Sequence, residues 1–357
     1  MLSSAEIWVE SLTPWPDEFG LERMRALLSE LGEPQLRFRS VHVVGTNGKG
    51  TTTRTIEETL TAEGVLAGGY YSPHVTGWPE RIRVRGAEAD FECAIERVRP
   101  AAERLDATQF EVLTAAAFAE FAAAGVEAAA VEAGLGGRHD ATNVLAAPVV
   151  VLTNVALEHT GVLGGTREEI AREKLAVVRD GATVVLGERE WESEAREQGA
   201  GRVVVETGGN RVLAAAALEA FLGHSVEPVR ARLPGRLEWR GDELWDGAHT
   251  PEAVRYLQQF LPELGSIVAS ILADKDVDEI LRLLGEHALV LVATQSSNPR
   301  ALPAGELAAR ARSRFSTVEE IPDPRAALAR AHELGTPVLV TGSLYLLADL
   351  AAVPAGA

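Results

Sequence analysis

"HVVGTNGKGTTTRTIEETL", residues 42–60, is the stretch from which the rest of the chain can be read. The apolar run "SVHVV" at 40–44 reads as a buried strand, and a glycine-rich loop follows it directly. A helix is then expected from about Thr51 to Glu63, stopped by Gly64. Such a helix start presents free N–H groups and the positive end of a dipole, which favours an anion. Gly45, Gly48 and Gly50 permit close backbone approach, and Lys49 supplies a mobile cation for phosphate oxygens. Thr51 or Thr52 could offer a hydroxyl to Mg2+. The spacing nevertheless misses the G-x-x-x-x-G-K-[ST] template, because Gly45 and Gly48 are only three apart and Gly50 separates Lys49 from Thr51. The competing reading is a tight turn that carries a surface lysine. Strand, glycines, lysine and helix in immediate succession favour phosphate.

Further strand candidates lie at 128–134, 148–155, 182–188 and 202–206, with helical patterns between them. That alternation argues for a parallel sheet with crossover helices, whose ligands gather at the carboxyl ends of the strands. Pro228, Pro234 and Gly235 break the pattern inside the basic, non-periodic stretch 225–241. Beyond it, strands are expected at 266–273, 288–295 and 336–342, with helices around 276–285, 303–314 and 324–334. The expected fold class is therefore α/β in two domains. Residues 1–230 would form a P-loop-type, mostly parallel sheet with flanking helices, and residues 231–357 a smaller Rossmann-like α/β domain.

At 357 residues the chain has room for two domains of roughly 150 residues each. Hydrophobic residues at 46% and charged residues at 24% describe a globular chain rather than a disordered one. A net charge of −18, with no run of five basic residues, argues against nucleic acid and anionic membranes as partners. Cys93 is the single cysteine, which excludes an internal disulfide and a cysteine-based metal cluster. The first residues lack a basic n-region, and Glu120, Glu127 and Glu132 interrupt the alanine-rich stretch, so neither a signal peptide nor a membrane span is expected. A cytoplasmic location follows as the expectation.

Three other segments place chemistry-bearing residues at expected strand ends: "YYSPH" at 70–74, "VEAGLGGRHDATNV" at 131–144, and "EHTGVLGGTREEIAREK" from Glu158 to Lys174. Singly each is weak. Together with "GTNGKGTTT", "FEVLTAAAF", "LPGRLE", "DGAHTPEA" and "ADKD", in this order, they closely resemble the folylpolyglutamate synthase/dihydrofolate synthase branch of the Mur ligase family. These are ATP-dependent, amide-forming ligases whose loop carries a glycine between the lysine and the hydroxyl residue.

By this resemblance Asn47, Gly48, Lys49, Gly50, Thr51 and Thr52 would cradle the ATP phosphates, Asn210, Arg236 and Asp246 would also contact ATP, and His249 would position nucleotide or the incoming amino acid. Thr51, Ser72, Glu132 and His159 would hold two Mg2+ ions, joined by Lys174 once CO2 has converted it to a carbamate. Lys49, His159 and Lys174 would carry the catalysis. Phe19, Gly20, Leu21, Phe110, Glu111, Val112, Leu113, Arg138, His139 and Asp140 would bind dihydropteroate or a folate, to which L-glutamate is joined through an acyl phosphate. Three departures from the family's pattern stand out: Glu158 where aspartate is usual, Thr250 where asparagine is usual, and "EKLAVVR" for "EKAGIIK". The resemblance implies a monomer. The rival readings are another Mur-type amino-acid ligase and an ATP-binding paralogue without ligase activity.

Overall fold

The run at 39–44 forms strand β1 (Arg39–Val44), and the first sheet is assembled around it in the computed structural model, which describes residues 3–16 and 20–352. The other strands of this sheet are β2 (Ala67–Tyr70), β3 (Ile82–Val84), β4 (Ala87–Glu88), β5 (Ala128–Glu132), β6 (Val149–Leu152), β7 (Thr183–Leu186) and β8 (Arg202–Val205). Their order is β4-β3-β2-β5-β1-β6-β7-β8. All pairs from β2 to β8 are parallel, and β3 and β4 add an antiparallel edge.

β1 is buried on both faces from Ser40 onward, as expected of a central strand in a parallel sheet. Val41 and Val43 pack with Ile56 and Leu60 of the helix Lys49–Ala62 and with Leu213 and Phe221 of the helix Asn210–Leu222. Val44 joins Ile170, Leu175 and Val184 in a separate cluster. The alternation places His42 on the Val44 side, away from Val41 and Val43. β5 and β6 flank β1, and later strands continue outward from β6, so the strand order switches at the end of β1. Open α/β sheets bind their ligands at such a crevice.

The second sheet contains β9 (Glu238–Arg240), β10 (Glu243–Trp245), β11 (Ser266–Ala269), β12 (Val290–Ala293), β13 (Thr317–Glu320) and β14 (Val338–Thr341), in the order β13-β12-β11-β14-β10-β9. Only the β9–β10 pair is antiparallel. One face is packed by Ile280, Leu284, Leu307 and Leu339, the other by Val268, Val292, Leu346 and Leu347. The chain divides into two compact units, residues 1–73 with 78–231, and residues 74–77 with 232–357.

Several expected boundaries shift. The loop helix starts at Lys49 rather than Thr51, because Gly48 (φ 81°) takes the left-handed capping conformation one residue earlier. The stretch 225–241 is not uniformly irregular: β9 occupies its end and pairs with β10 across the turn Gly241–Asp242. The β3–β4 hairpin turns on Arg85 (φ 56°) and Gly86 (φ 77°), a two-residue loop with both torsions positive.

Candidate active site

The phosphate loop is held from both ends. Thr46 N donates to Asn154 O (2.9 Å), Asn47 N to Asn154 Oδ1 (2.9 Å), and both Thr153 Oγ1 (2.7 Å) and Asn154 Nδ2 (3.0 Å) donate to Asn47 O. Ala156 N closes the set on Thr46 Oγ1 at 3.0 Å. Glycine is required at two places: a side chain on Gly45 (φ 143°) would run into Thr153 Oγ1, and one on Gly48 would run into the Asn210 amide. Asn210 opens its own helix, Asn210–Leu222, so two helix N-termini of 14 and 13 residues meet at Gly48. Their N-terminal N–H groups and dipoles together favour an anion there.

Lys49 is the first residue of the loop helix, and its Nζ donates to Gly45 O (3.0 Å) and Thr46 O (3.3 Å). Lys174, only 1% exposed, donates to the same Gly45 carbonyl (2.9 Å) and to Glu158 Oε1 (2.7 Å). Burial brings the Lys174 ammonium down to about 8, Glu158 resisting and Lys49 assisting. Burial pushes the Glu158 carboxyl up, but Lys174 and then Lys49 outweigh it and hold it at about 2. The longer side chain at this departure position thus serves as the counter-ion of Lys174.

Glu132 ends β5, and its Oε2 accepts from Ser72 N at 3.0 Å, which brings the two residues together beyond the ends of β5 and β2. His159 (φ 46°) is exposed and follows Glu158 directly. Thr51 is half-buried at the loop helix's first turn, whereas Thr52 is fully buried and its hydroxyl lacks a partner. Thr51 is therefore the better placed hydroxyl for a metal. Among the described residues no three His, Cys, Asp or Glu side chains gather as a ready metal cluster. Lys174 as an ammonium would repel a metal, and as a carbamate it would supply oxygen ligands. The residues fit Mg2+ on the condition that hydroxyl, carbamate and phosphate oxygens complete the donor set.

In the same unit a cleft of about 200 Å3 is lined by Pro14, Trp15, Pro16, Gly20, Phe110, Leu135, His139, Asp140 and Leu163, among others. Gly20, Phe110, Glu111, His139 and Asp140 are expected acceptor-binding residues that the structure does gather here. Phe19 lies outside the described residues. Val112 and Leu113 depart from expectation: both are fully buried in the core and neither lines the cleft. Leu21 is buried, and Arg138 is exposed and paired with Glu173 at 3.2 Å; neither lines the cleft. Glu111 has a structural task, since its Oε2 accepts from Thr108 N and Oγ1 (both 2.8 Å) in a capping box and pairs with Arg23. Sequence reasoning missed Trp15 and its flanking prolines, although a half-exposed tryptophan between two prolines is itself a signal of a rigid apolar platform.

Asp140 is anchored from several sides. Leu135 N donates to Oδ2 (2.8 Å), Thr142 N to Oδ1 (3.0 Å), and the Thr142 hydroxyl also to Oδ1. Burial pushes its carboxyl up, and these bonds oppose the shift. His42 Nε2 lies 2.8 Å from Thr142 Oγ1.

In the second unit Asp246 is buried between Leu237 N and Ala248 N, each donating at 2.9 Å. Burial raises its pKa and Arg236 opposes the rise. His249 Nδ1 is 2.7 Å from Gly247 O, so this nitrogen carries the proton. Thr250, the second departure, caps the helix Pro251–Gln258 by accepting from Ala253 N, a task asparagine performs equally well.

Comparison with known proteins finds two matching family models: the Mur ligase middle domain over residues 43–221, and the Mur ligase, glutamate ligase domain over residues 235–344. The dihydrofolate synthase/folylpolyglutamate synthase of Escherichia coli (strain K12) is 32% identical over 98% of this chain and 94% of its own length. E. coli FolC in complex with DHPP and ADP matches with a TM-score of 0.87 and 29% identity, over 97% of this chain and 96% of that one. The bifunctional folylpolyglutamate synthase/dihydrofolate synthase of Yersinia pestis, complexed with AMPPNP and Mn ion, matches with a TM-score of 0.85 and 30% identity, over 96% and 95%.

Proposed function

The chain belongs to the Mur ligase family, in its dihydrofolate synthase/folylpolyglutamate synthase branch, and from that premise we propose that it joins L-glutamate to dihydropteroate, a reduced folate or both. The observation that carries the reading is the loop Gly45–Thr51, at the switch of the strand order, with two helix N-termini and the Lys49 ammonium at one anion site. Residues 1–230 would bind ATP and the acceptor, and residues 231–357 would carry the glutamate ligase part.

The acceptor's carboxylate attacks the γ-phosphorus of ATP, ADP leaves, and an acyl phosphate forms. The amine of glutamate then attacks the acyl carbon and phosphate departs. Gly48, Gly50 and the first turn of the loop helix hold the phosphate oxygens through backbone N–H groups, and Asn47, Thr51 and Asn210 stand beside them. Lys49 leaves its two carbonyl partners to follow the charge that shifts from the γ-phosphoryl to the leaving ADP. Two Mg2+ ions, held by Thr51, Ser72, Glu132, His159 and a carbamate on Lys174, would neutralise the crowded anions when bound. Burial brings Lys174 down to about 8, which favours the neutral amine that a carbamate requires. Trp15 and Phe110 offer the acceptor's ring apolar faces, and Asp140 and His139 offer polar edges. In the second unit Arg236 and Asp246 are assigned to ATP, and His249 to positioning nucleotide or glutamate.

The test is phosphate release from ATP and Mg2+ with L-glutamate and either dihydropteroate or a reduced folate. Glutamate-dependent release with one of them is expected. Its absence with both defeats the proposal.

A further inference from the structure

A histidine in the middle of β1 needs a reason. Its neighbours Val41, Val43 and Val44 are fully buried hydrophobics, β1 is paired along both edges, and His42 itself is fully buried. An apolar residue would satisfy the strand better, because His42 Nδ1 has no hydrogen-bond partner. A local rule broken in a core strand points to a service performed elsewhere.

The service can be traced through hydrogen-bond directions. Asp140 accepts on both carboxylate oxygens, from Leu135 N on one and from Thr142 N on the other. The Thr142 hydroxyl proton is directed to the Asp140 Oδ1. Thr142 Oγ1 can then only accept from His42, so Nε2 carries the imidazole proton and Nδ1 is the bare, unpartnered nitrogen. The series runs one way, from the sheet interior to the cleft: His42 Nε2–H, Thr142 O–H, Asp140 carboxylate. Burial, then Arg179, takes the His42 ring down to about 3, so it remains a neutral donor at any working pH.

We propose that His42 is a positioning residue for the acceptor: through Thr142 it fixes the rotamer of Asp140, whose cleft-facing edge takes N–H donors of the acceptor's heterocycle. This rests on the reading of the cleft as the acceptor site. The residue touches neither ATP nor the acceptor, so its effect belongs in acceptor affinity rather than in nucleotide use.

The experiment compares His42→Leu, His42→Gln and Thr142→Val with the wild type, measuring KM for dihydropteroate, KM for ATP and kcat, with thermal melts to verify folding. Leucine removes the donor, whereas glutamine keeps an N–H close to where Nε2 stands. His42→Leu and Thr142→Val should each raise the acceptor KM about tenfold while the ATP KM stays within about twofold. His42→Gln should recover most of the lost acceptor affinity. An unchanged acceptor KM in folded His42→Leu, or an equal rise in both KM values, overturns the proposal. Should His42→Leu fail to fold, Thr142→Val decides alone, and an unchanged acceptor KM there overturns it as well. Wild-type enzyme inactive with every acceptor would defeat the functional reading itself, an outcome distinct from an active wild type with indifferent variants.

Discussion

Lys49 and Lys174 converge on the Gly45 carbonyl but have different tasks, and single substitutions separate them. Lys49→Ala should lower kcat by roughly a hundredfold, as removing one preorganised electrostatic donor does in other enzymes, with a cooperative melt retained. Lys174→Ala leaves Glu158 buried without its counter-ion, so both turnover and thermal stability should fall. Unchanged turnover in that variant would remove the carbamate role, and intact-mass measurement in bicarbonate would show the added CO2 directly. His42 gives a pH signature. Its folded pKa of about 3 lies below the usual 6.5, so the unfolded chain binds the extra proton in between. Its contribution to stability is therefore complete above about pH 6.5 and is lost as pH falls, by up to about 1.4 kcal/mol per pH unit. Urea unfolding at pH 7 and pH 5 should show the wild type losing about 2 kcal/mol more than His42→Gln. Residues of distinctive type were legible in the sequence: Lys49 opens the helix beyond β1 and Glu132 ends β5, while Asp140 lies in the loop after β5 and Lys174 in the helix Arg167–Leu175, from which it reaches the Gly45 carbonyl. Contacts decided by packing were not, which is why Phe110 lines the cleft while Val112 and Leu113, close by on the same helix, do not.

Elements with strong periodicity were readable, and short ones were not. β5, β6 and β7 consist mainly of alanine, valine and leucine, and the expected segments contain each of them, whereas β1 carries His42 among its valines and begins one residue before the expected 40–44. The two hairpins escaped notice because an arginine occupies the first turn position of one, where Asn, Asp or Gly is the usual signal, and because β9 follows a proline-marked stretch. Helix ends were set by caps that spacing alone does not locate, as with Gly48 ahead of Lys49. Thr250 makes the cap testable. Thr250→Ala should destabilise the second unit by about 1 kcal/mol, and Thr250→Asn should cost almost nothing, as read by chemical denaturation. A large loss of activity in a stable Thr250→Asn variant would show that the hydroxyl does more than cap.

At the scale of the whole chain, two sheets with separate cores meet the expectation of an α/β protein in two parts, and no helix among the described residues is long and apolar enough to cross a membrane. The connection near Arg230 and Arg232 lacks helix or strand, and both arginines are exposed. Brief trypsin treatment should therefore cut there first, and each fragment should retain circular dichroism of mixed helix and strand. Initial cleavage inside either sheet would contradict that division. The position of β1 carries a further consequence. Bonded to β5 on one edge and β6 on the other, its amides can exchange with deuterium only when the whole sheet opens. The phosphate loop thus grows out of a strand whose backbone should be among the slowest to exchange in its unit. Nucleotide should slow exchange across residues 45–51, and the change should stop abruptly at Val44, where protection is already at its ceiling.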